Sequence, residues 1–222
     1  GYVTKFRSSG EYEKIYGTNG TTDAILQAFV GGAQTVLACR LGNSGTKAEL
    51  TLDGEDGEAA VIISAKYSGS RDFSVTIREK LSDPEAKQCI IYSGTKELEV
   101  ISFAAGENES QALADEMAEN DYFNIEVKEG RGGSVLKNIF QKKLEGGTDP
   151  AIKTEDYSDA FAAVEPYMFN TICVDTEDPS IHLLLASFVQ RIFESGNLTQ
   201  AVIAEKSSIE YETRIARAAA YN

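Results

Sequence analysis

The chain has 222 residues, of which 42% are hydrophobic and 25% are charged, which is enough apolar material for one large domain or two small ones. It contains no run of about 18 apolar residues of the kind that forms a membrane helix. Its formal net charge of −14 opposes contact with nucleic-acid backbones and anionic lipid headgroups, so we expect neither nucleic acid nor membrane as a partner.

Residues 1–41 alternate between extended and helical patterns. Ser8 or Ser9 is placed to cap a short helix, and the pair Thr22 and Asp23 is placed to cap a second one. The run that follows, TVLACRL, is apolar on both faces. Such a run is typical of a strand inside a sheet that is covered on both sides.

The hydrophobic period changes to two between residues 46 and 145, where apolar and polar side chains alternate. The alternating runs are centred on Leu50, Val75, Leu98 and Ile125. Residues 92–96 (YSGTK) are typical of a hairpin turn, and residues 110–119 form the one predicted helix of this region. The pattern predicts an antiparallel sandwich or a small open barrel.

Helices and strands alternate again from residue 148. Thr154 is placed to cap a helix that Pro166 ends, and Asp178 is placed to cap a longer helix with Pro179 in its first position. Ser207 or Ser208 is predicted to open the last helix, which runs to about residue 220.

These patterns predict one α/β domain interrupted by a β-rich insert, so that the fold class is α/β in the main domain and α+β overall. The strands near Leu37, Ile172 and Val202 are predicted to share one mainly parallel sheet. Residues 1–41 form the first part of the α/β domain, residues 42–147 the insert, and residues 148–222 the continuation of the α/β domain.

Three cysteines, Cys39, Cys89 and Cys173, lie far apart in strand-like apolar runs. An odd number without short spacings favours neither a disulfide framework nor a zinc site. We therefore expect buried, reduced thiols.

The single histidine, His182, excludes a metal site made of several histidines. A catalytic role would require a nucleophile and an orienting carboxylate. Asp175 and Asp178 are near in sequence, but no G-x-S-x-G motif occurs. We expect a surface or helix-packing histidine.

Two glycine-rich segments and one acidic turn are the other candidates for binding sites. Residues 42–47 (GNSGTK) lack the Gly-Lys-Ser/Thr core of a phosphate loop, and residues 130–134 (GRGGS) lack the helix that a dinucleotide motif requires. The turn from Asp53 to Glu58 has the charge to attract calcium, but Gly57 stands where the fifth-position ligand belongs, which favours a plain hairpin turn.

Glu97 and Glu99 are predicted to point to solvent, while the alternating Leu98 and Val100 point to the core. The sequence therefore predicts no catalytic, cofactor-binding or metal-binding residues, no cofactor and no enzymatic activity.

Several segments resemble the sheath proteins of contractile phage tails, in the order and spacing of that family. The matching segments are residues 22–37 with the following Arg40 and Leu41, residues 65–75 (AKYSGSRDFSV), residues 144–149 (LEGGTD) and residues 157–172. The second segment departs from the family's Ala-Lys-Tyr-Pro-Gly pattern, since Ser68 replaces the proline and the usual Gly-Asn after the arginine is missing. The similarity is greatest to sheaths of phage-like elements and tail-like bacteriocins of Gram-positive bacteria.

The resemblance implies a subtilisin-like α/β domain without catalytic machinery, carrying a β-sandwich-like insert. It implies a structural subunit that forms stacked hexameric rings around a tail tube and contracts to drive the tube through the target envelope. Its implied partners are copies of itself, the tail tube protein, the baseplate and the tail terminator. The implied location is a virion tail or tail-like particle, made in the cytoplasm of the bacterial host.

Family sequences usually extend beyond both ends of this one. We therefore expect a truncated chain, monomeric because the terminal arms that link family members are absent.

Two other classes of function stay open. A tail or surface module that binds a carbohydrate or receptor is the first alternative, although the chain has no tryptophan for stacking on sugars. A hydrolase on an α/β scaffold is the second, and an activity-based serine or cysteine hydrolase reagent would label it.

Overall fold

The computed structural model describes residues 3–17, 23–42 and 44–221. The chain divides by its internal contacts into two compact units. Unit A comprises residues 1–42 and 152–222, and unit B comprises residues 43–151. Because a division by contacts does not test independent folding, the domain boundaries 1–41, 42–147 and 148–222 stay a prediction.

Helices and short strands are mixed along the whole chain. In chain order they are β1 (Val3–Phe6), α1 (Ser9–Tyr16), α2 (Ala24–Val30), β2 (Val36–Cys39), β3 (Glu49–Asp53), β4 (Ala59–Ala65), β5 (Phe73–Glu79), β6 (Ala86–Ser93), β7 (Lys96–Ala104), α3 (Glu109–Glu116), β8 (Phe123–Val127), β9 (Ile139–Lys143), α4 (Thr154–Val164), β10 (Thr171–Cys173), α5 (Pro179–Glu194), β11 (Gln200–Val202) and α6 (Tyr211–Ala220). The strands form several small sheets, which confirms the predicted α+β class.

The predicted N-caps of three helices in unit A are confirmed. The Ser8 hydroxyl accepts the Glu11 N–H at the start of α1. The Asp23 carboxylate caps α2, and Asp178 caps α5 ahead of Pro179. Thr22, the other residue predicted to cap α2, lies outside the described residues.

The predicted single parallel sheet of unit A is wrong for the strand near Leu37. β2 pairs with β1 in antiparallel orientation, whereas β10 and β11 form a separate parallel pair. Ala38 packs with Phe6 beside α1 and α2, while Cys39 faces the cluster around α4 and α5. A two-stranded ribbon between two helical layers requires apolar residues on both faces, just as a central strand does.

The longest helix, α5, packs on α4. Phe161 and Phe188 stack with ring centroids 5.0 Å apart, and Leu185 beside them is fully buried. Thr154 is the first residue of α4 and not its cap, because the Asp156 carboxylate accepts the Lys153 N–H at 2.7 Å and so places the cap one residue earlier.

The last helix begins later than predicted. α6 starts at Tyr211, not at Ser207 or Ser208. The Arg214 guanidinium donates to the carbonyl oxygens of Ser207, at 2.5 Å, and of Lys206, at 3.1 Å, which holds these residues in a turn before the helix.

Unit B contains two antiparallel sheets, with strand orders β3-β4-β8 and β7-β6-β5-β9. One hydrophobic core lies between them, and α3 adds Leu113 to it while packing on β7 and β8. Bridges from Glu49 to Glu145 and from Gly54 to Leu136 join β3 to the chain on either side of β9. The unit is therefore a sandwich closed along one side, between the two predicted forms.

Strand alternation in unit B is confirmed in β3, where Leu50 and Leu52 are buried, and it fails in β7. The register with β6 shifts at a bulge, after which Ile101 and Phe103 face the core while Val100 is exposed. A bulge adds one residue and so reverses which side chains point inward.

No helix within residues 3–17, 23–42 and 44–221 has the length and apolar character needed to cross a membrane.

Candidate functional site

His182 lies in the first turn of α5 and is fully buried. Its Nε2 lies 2.8 Å from the Thr176 carbonyl oxygen, which can only accept, so Nε2 carries the proton. Nδ1 is buried and has no hydrogen-bond partner among the residues that the structure describes. The burial agrees with a helix-packing histidine and contradicts a surface one, and a ring closed off from solvent offers no access to a substrate.

The nearby carboxylate does not orient the His182 ring. Asp178 accepts the Ser180 hydroxyl at 2.8 Å and the Ser180 N–H at 2.9 Å, and these bonds lower the pKa of its carboxyl. Asp178 is therefore engaged in capping α5. The chain around His182 lacks the base-to-carboxylate bond of a catalytic triad.

The three thiols are free, and they differ in exposure. Cys89 is buried, and burial raises the pKa of its thiol to about 12. Cys39 is half-buried, and burial raises the pKa of its thiol as well. Cys173 is exposed, so the prediction of three buried thiols is wrong for this residue, which lies on the open face of a two-stranded sheet. A raised pKa leaves little thiolate at neutral pH, so Cys39 and Cys89 are weak nucleophiles.

One carboxylate of the acidic turn between β3 and β4 is paired with an arginine. Arg131 Nη2 lies 2.7 Å from Asp56 Oδ1, and this bond lowers the pKa of the Asp56 carboxyl to about 2. The guanidinium thus occupies the position that a cation would take. Among the described residues, no group of three or more His, Cys, Asp or Glu side chains is placed to hold a metal ion.

The glycine-rich segment at residues 130–134 has a structural use. The carbonyl oxygens of Gly132 and Ser134 accept the N–H groups of Gln111 and Ser110 at the start of α3. The loop therefore supplies acceptors to the start of a helix that precedes it in the chain, whereas the donors of a dinucleotide loop lie at the start of the helix that follows it. In the other segment, Thr46 bonds to Thr148, with 2.8 Å between the two hydroxyl oxygens, and Asn43 lies outside the described residues.

A buried ion pair in unit B was missed by sequence reasoning. Lys87 Nζ lies 2.9 Å from Glu109 Oε2, and both side chains are buried. The Glu109 carboxylate also accepts the N–H groups of Leu136 and Gly106. The pair therefore ties β6, α3 and the segment before β9 together, and nothing in the sequence around either residue signals it.

The two glutamates of β7 differ. Glu97 is exposed as predicted, but Glu99 is half-buried and its Oε2 is buried without a partner. The prediction that Glu99 is solvated is wrong because the bulge places it opposite Ile91, which faces the core.

Large apolar side chains are exposed on unit A. Met168 and Leu198 line a shallow cleft, about 480 Å³ in volume, beside the loops that precede β10 and β11. On α6, Tyr211 and Ile215 face solvent while the half-buried side of the helix carries Arg214. An apolar stripe turned outward is typical of a surface that another polypeptide covers.

No protein-family model and no curated protein matches this chain. Solved structures do match, and two of them are sheath tail proteins. One is a sheath tail protein from Listeria innocua, with a TM-score of 0.68 and 23% identity over 93% of this chain. The other is a sheath tail protein from Desulfitobacterium hafniense, with a TM-score of 0.64 and 23% identity over 90% of this chain.

The chain has the fold of these sheath tail proteins. The resemblance noted in the sequence motifs is thereby confirmed at the level of the fold. The match covers 44% of the Desulfitobacterium chain and 45% of the Listeria chain, so this chain spans less than half the length of either protein. The sheath-tail fold includes both units, because 90% or more of the chain is aligned.

Proposed function

We propose that this chain is a structural, non-enzymatic subunit of a contractile tail sheath, in a virion or a tail-like particle, which acts by associating with copies of itself. The observation that carries the proposal is the sheath-tail fold over 93% of the chain. Both matching proteins are sheath tail proteins.

Two features of the molecule support an assembling role. The residues considered as candidate sites are engaged structurally: the buried His182 of α5 bonds to the Thr176 carbonyl, Asp178 caps that helix, and Asp56 of the acidic turn pairs with Arg131. Unit A also exposes apolar side chains such as Met168 and Ile215. Exposed apolar surface of this kind is favourable only when an assembly covers it.

The proposed mechanism follows from the resemblance. Subunits form hexameric rings that stack around a tail tube, between a baseplate and a tail terminator. A rotation of subunits from an extended to a better-packed arrangement shortens the sheath and moves the tube through the target envelope. The particle is a phage tail, or a bacteriocin or prophage tail.

Negative-stain electron microscopy of the product of the whole gene that encodes this chain tests the proposal. We expect hollow tubes with regular striations from stacked rings. Dispersed particles without tubes at high protein concentration would overturn the proposal and favour the alternative of a non-catalytic binding module for a carbohydrate or receptor. Covalent labelling by a serine or cysteine hydrolase reagent would favour an enzyme.

A further inference from the structure

A strained bulge interrupts β9 in unit B. Ile139 pairs with Ile77 and Lys142 with Val75, so Phe140 and Gln141 together oppose the single residue between them on β5. Gln141 has a φ of 41°, in the left-handed region that favours glycine. Its N–H donates to the Thr76 hydroxyl at 2.9 Å, and Thr76 is buried. Strain held by a buried hydrogen bond is a feature that points to function.

The bulge displays an aromatic side chain. Ile139 packs on the core of unit B, and its neighbour Phe140 is 77% exposed. Adjacent strand residues point to opposite faces, so Phe140 points outward where Ile139 points to the core. The two bridges to β3 lie at Leu136 and Glu145, on either side of this segment.

The same segment is basic in an otherwise acidic protein. Residues 137–143 include Lys137, Lys142 and Lys143 and no acidic residue, while the chain as a whole carries −14. Lys137 and Lys142 are exposed, and Lys143 pairs with Asp72 at 2.8 Å on the surface. We call residues 137–143 the basic bulge.

A surface made of β7 at the opposite edge of this sheet, of α3, and of β8 in the other sheet has the opposite charge. Residues 97–127, which include most of β7, all of α3 and all of β8, contain nine acidic residues and no lysine or arginine. Those exposed are Glu97, Glu107, Asp115, Glu116, Glu119 and Glu126. In the strand order β7-β6-β5-β9, β7 and the basic bulge lie at opposite ends.

We infer that the basic bulge of one copy docks on the acidic β7–α3 edge of a second copy, with Phe140 as the apolar anchor. The inference rests on the proposed self-association and names the surfaces that carry part of it. Two copies with a net charge of −14 repel one another unless a basic surface meets an acidic one. Because the two surfaces differ, the contact is heterologous. A copy that docks through one surface still presents the other, so the contact repeats from copy to copy.

The test places a photo-crosslinking residue at the bulge. Phe140→p-benzoylphenylalanine is compared with the same substitution at Leu81, which is 99% exposed in unit B but lies outside both surfaces. Mixing isotopically light and heavy chains identifies crosslinks between copies by mass spectrometry. We expect crosslinks from position 140 to residues 97–127 of another copy, at a yield well above that from position 81. Equal yields, or crosslinks to other regions, would overturn the inference.

A charge exchange provides the second measurement. Lys142→Glu and Glu116→Lys are each expected to lower the association constant in sedimentation by about fivefold at low salt, and the double variant is expected to restore it. Lys5→Glu, an exposed site in unit A, is the control with the same change in net charge as Lys142→Glu.

The outcomes separate the two proposals. If neither charge substitution changes the association constant and the whole gene product still forms striated tubes, the docking surface is wrong and the proposed function stands. A chain that stays monomeric at millimolar concentration, as the resemblance alone predicts, would overturn the docking surface. If the whole gene product also forms no tubes, the proposed function is overturned too.

Discussion

Units A and B are similar in length but bury their apolar residues very differently. Among the described residues, unit B contains 21 buried hydrophobic residues and unit A contains 10. Large exposed hydrophobic residues show the reverse, with 10 in unit A and 5 in unit B. Since burial of apolar surface is the main source of folding free energy, we expect unit B to depend less than unit A on contacts outside itself.

The arrangement of strands explains the contrast. The sheets of unit B enclose one core between them, so each strand buries one face. Unit A instead divides its apolar residues between two smaller clusters and has sheets of only two strands. A two-stranded sheet is marginally stable without further packing. The comparison indicates that unit A is the part of the molecule that depends on other polypeptide.

The largest expected effect comes from separating the units. Residues 44–151 expressed alone should unfold cooperatively in urea and bind little ANS, because unit B encloses its own core. Replacing residues 44–151 by a short Gly-Ser linker should leave unit A without cooperative unfolding and with strong ANS binding. Circular dichroism and ANS fluorescence check both. Cooperative unfolding of unit A alone would contradict the proposed difference in stability between the two units.

Within unit B, we expect the largest loss of stability from breaking the buried ion pair between Lys87 and Glu109. Glu109→Ala removes the buried partner of Lys87 and leaves it only the Leu136 carbonyl and the partly exposed Glu79, 3.7 Å away. It also removes the acceptor of the Leu136 and Gly106 N–H groups, so the free energy of unfolding should fall by about 3–5 kcal/mol. Urea titration of the whole chain measures this loss. Glu107→Ala, an exposed neighbour, is the matched control and should change little.

The double variant Lys87→Met/Glu109→Leu sharpens this prediction. With both charges removed, the part of the loss that comes from the buried charge should be recovered, while the part that comes from the Leu136 and Gly106 N–H groups should remain, because they have lost their acceptor. A loss below about 1 kcal/mol in Glu109→Ala would show that water reaches the pair.

Within unit A, one hydrogen bond should link stability to alkaline pH. The Tyr12 hydroxyl donates to Asp23 Oδ2 at 2.5 Å, and burial together with this bond raises the pKa of Tyr12. Because the folded-state pKa lies above the unfolded value of about 10, the stability contribution is complete below pH 10 and is lost as the pH rises further.

The Tyr12→Phe variant isolates this contribution. It should lower stability by about 1–2 kcal/mol at neutral pH and remove that part of the alkaline loss. Thermal unfolding from pH 7 to 11 measures both effects. An alkaline loss that persists unchanged in Tyr12→Phe would assign it to other groups.

The smallest expected effect concerns calcium at the turn from Asp53 to Glu58. Millimolar calcium should leave the unfolding midpoint of unit B unchanged, because Arg131 already neutralises Asp56. An Arg131→Gln variant removes the competing cation and serves as the comparison. A calcium-dependent rise in the midpoint of the unsubstituted chain would contradict this assignment.

Local signals in the sequence predicted local structure well. The caps at Ser8, Asp23 and Asp178 follow from side chains that satisfy N–H groups a few residues away. The turn at Gly94 follows from its φ of 58°, which glycine adopts without strain. In such cases the residues that decide the structure are adjacent in the sequence.

Prediction failed where the structure depends on contacts between residues far apart in the sequence. The partner of β2 was misassigned because apolar residues on both faces fit a ribbon between helices as well as a central strand. The bulge in β7 is set by its pairing with β6, so alternation alone placed Val100 and Glu99 on the wrong faces. The Lys87–Glu109 pair joins residues 22 positions apart, and no local pattern marks it.

At two glycines of unit B, Gly45 and Gly147, the chain passes very close to another part of its own backbone. A Cβ atom at position 45 would collide with the Thr148 carbonyl oxygen, and one at position 147 would collide with the Gly69 carbonyl oxygen. Both neighbours are backbone atoms, which cannot swing aside as a side chain does. In a saturation mutagenesis library, these half-buried positions should therefore tolerate substitution as poorly as the middle of the core. Treating them as flexible, exchangeable loop glycines would underestimate the effect of substituting them.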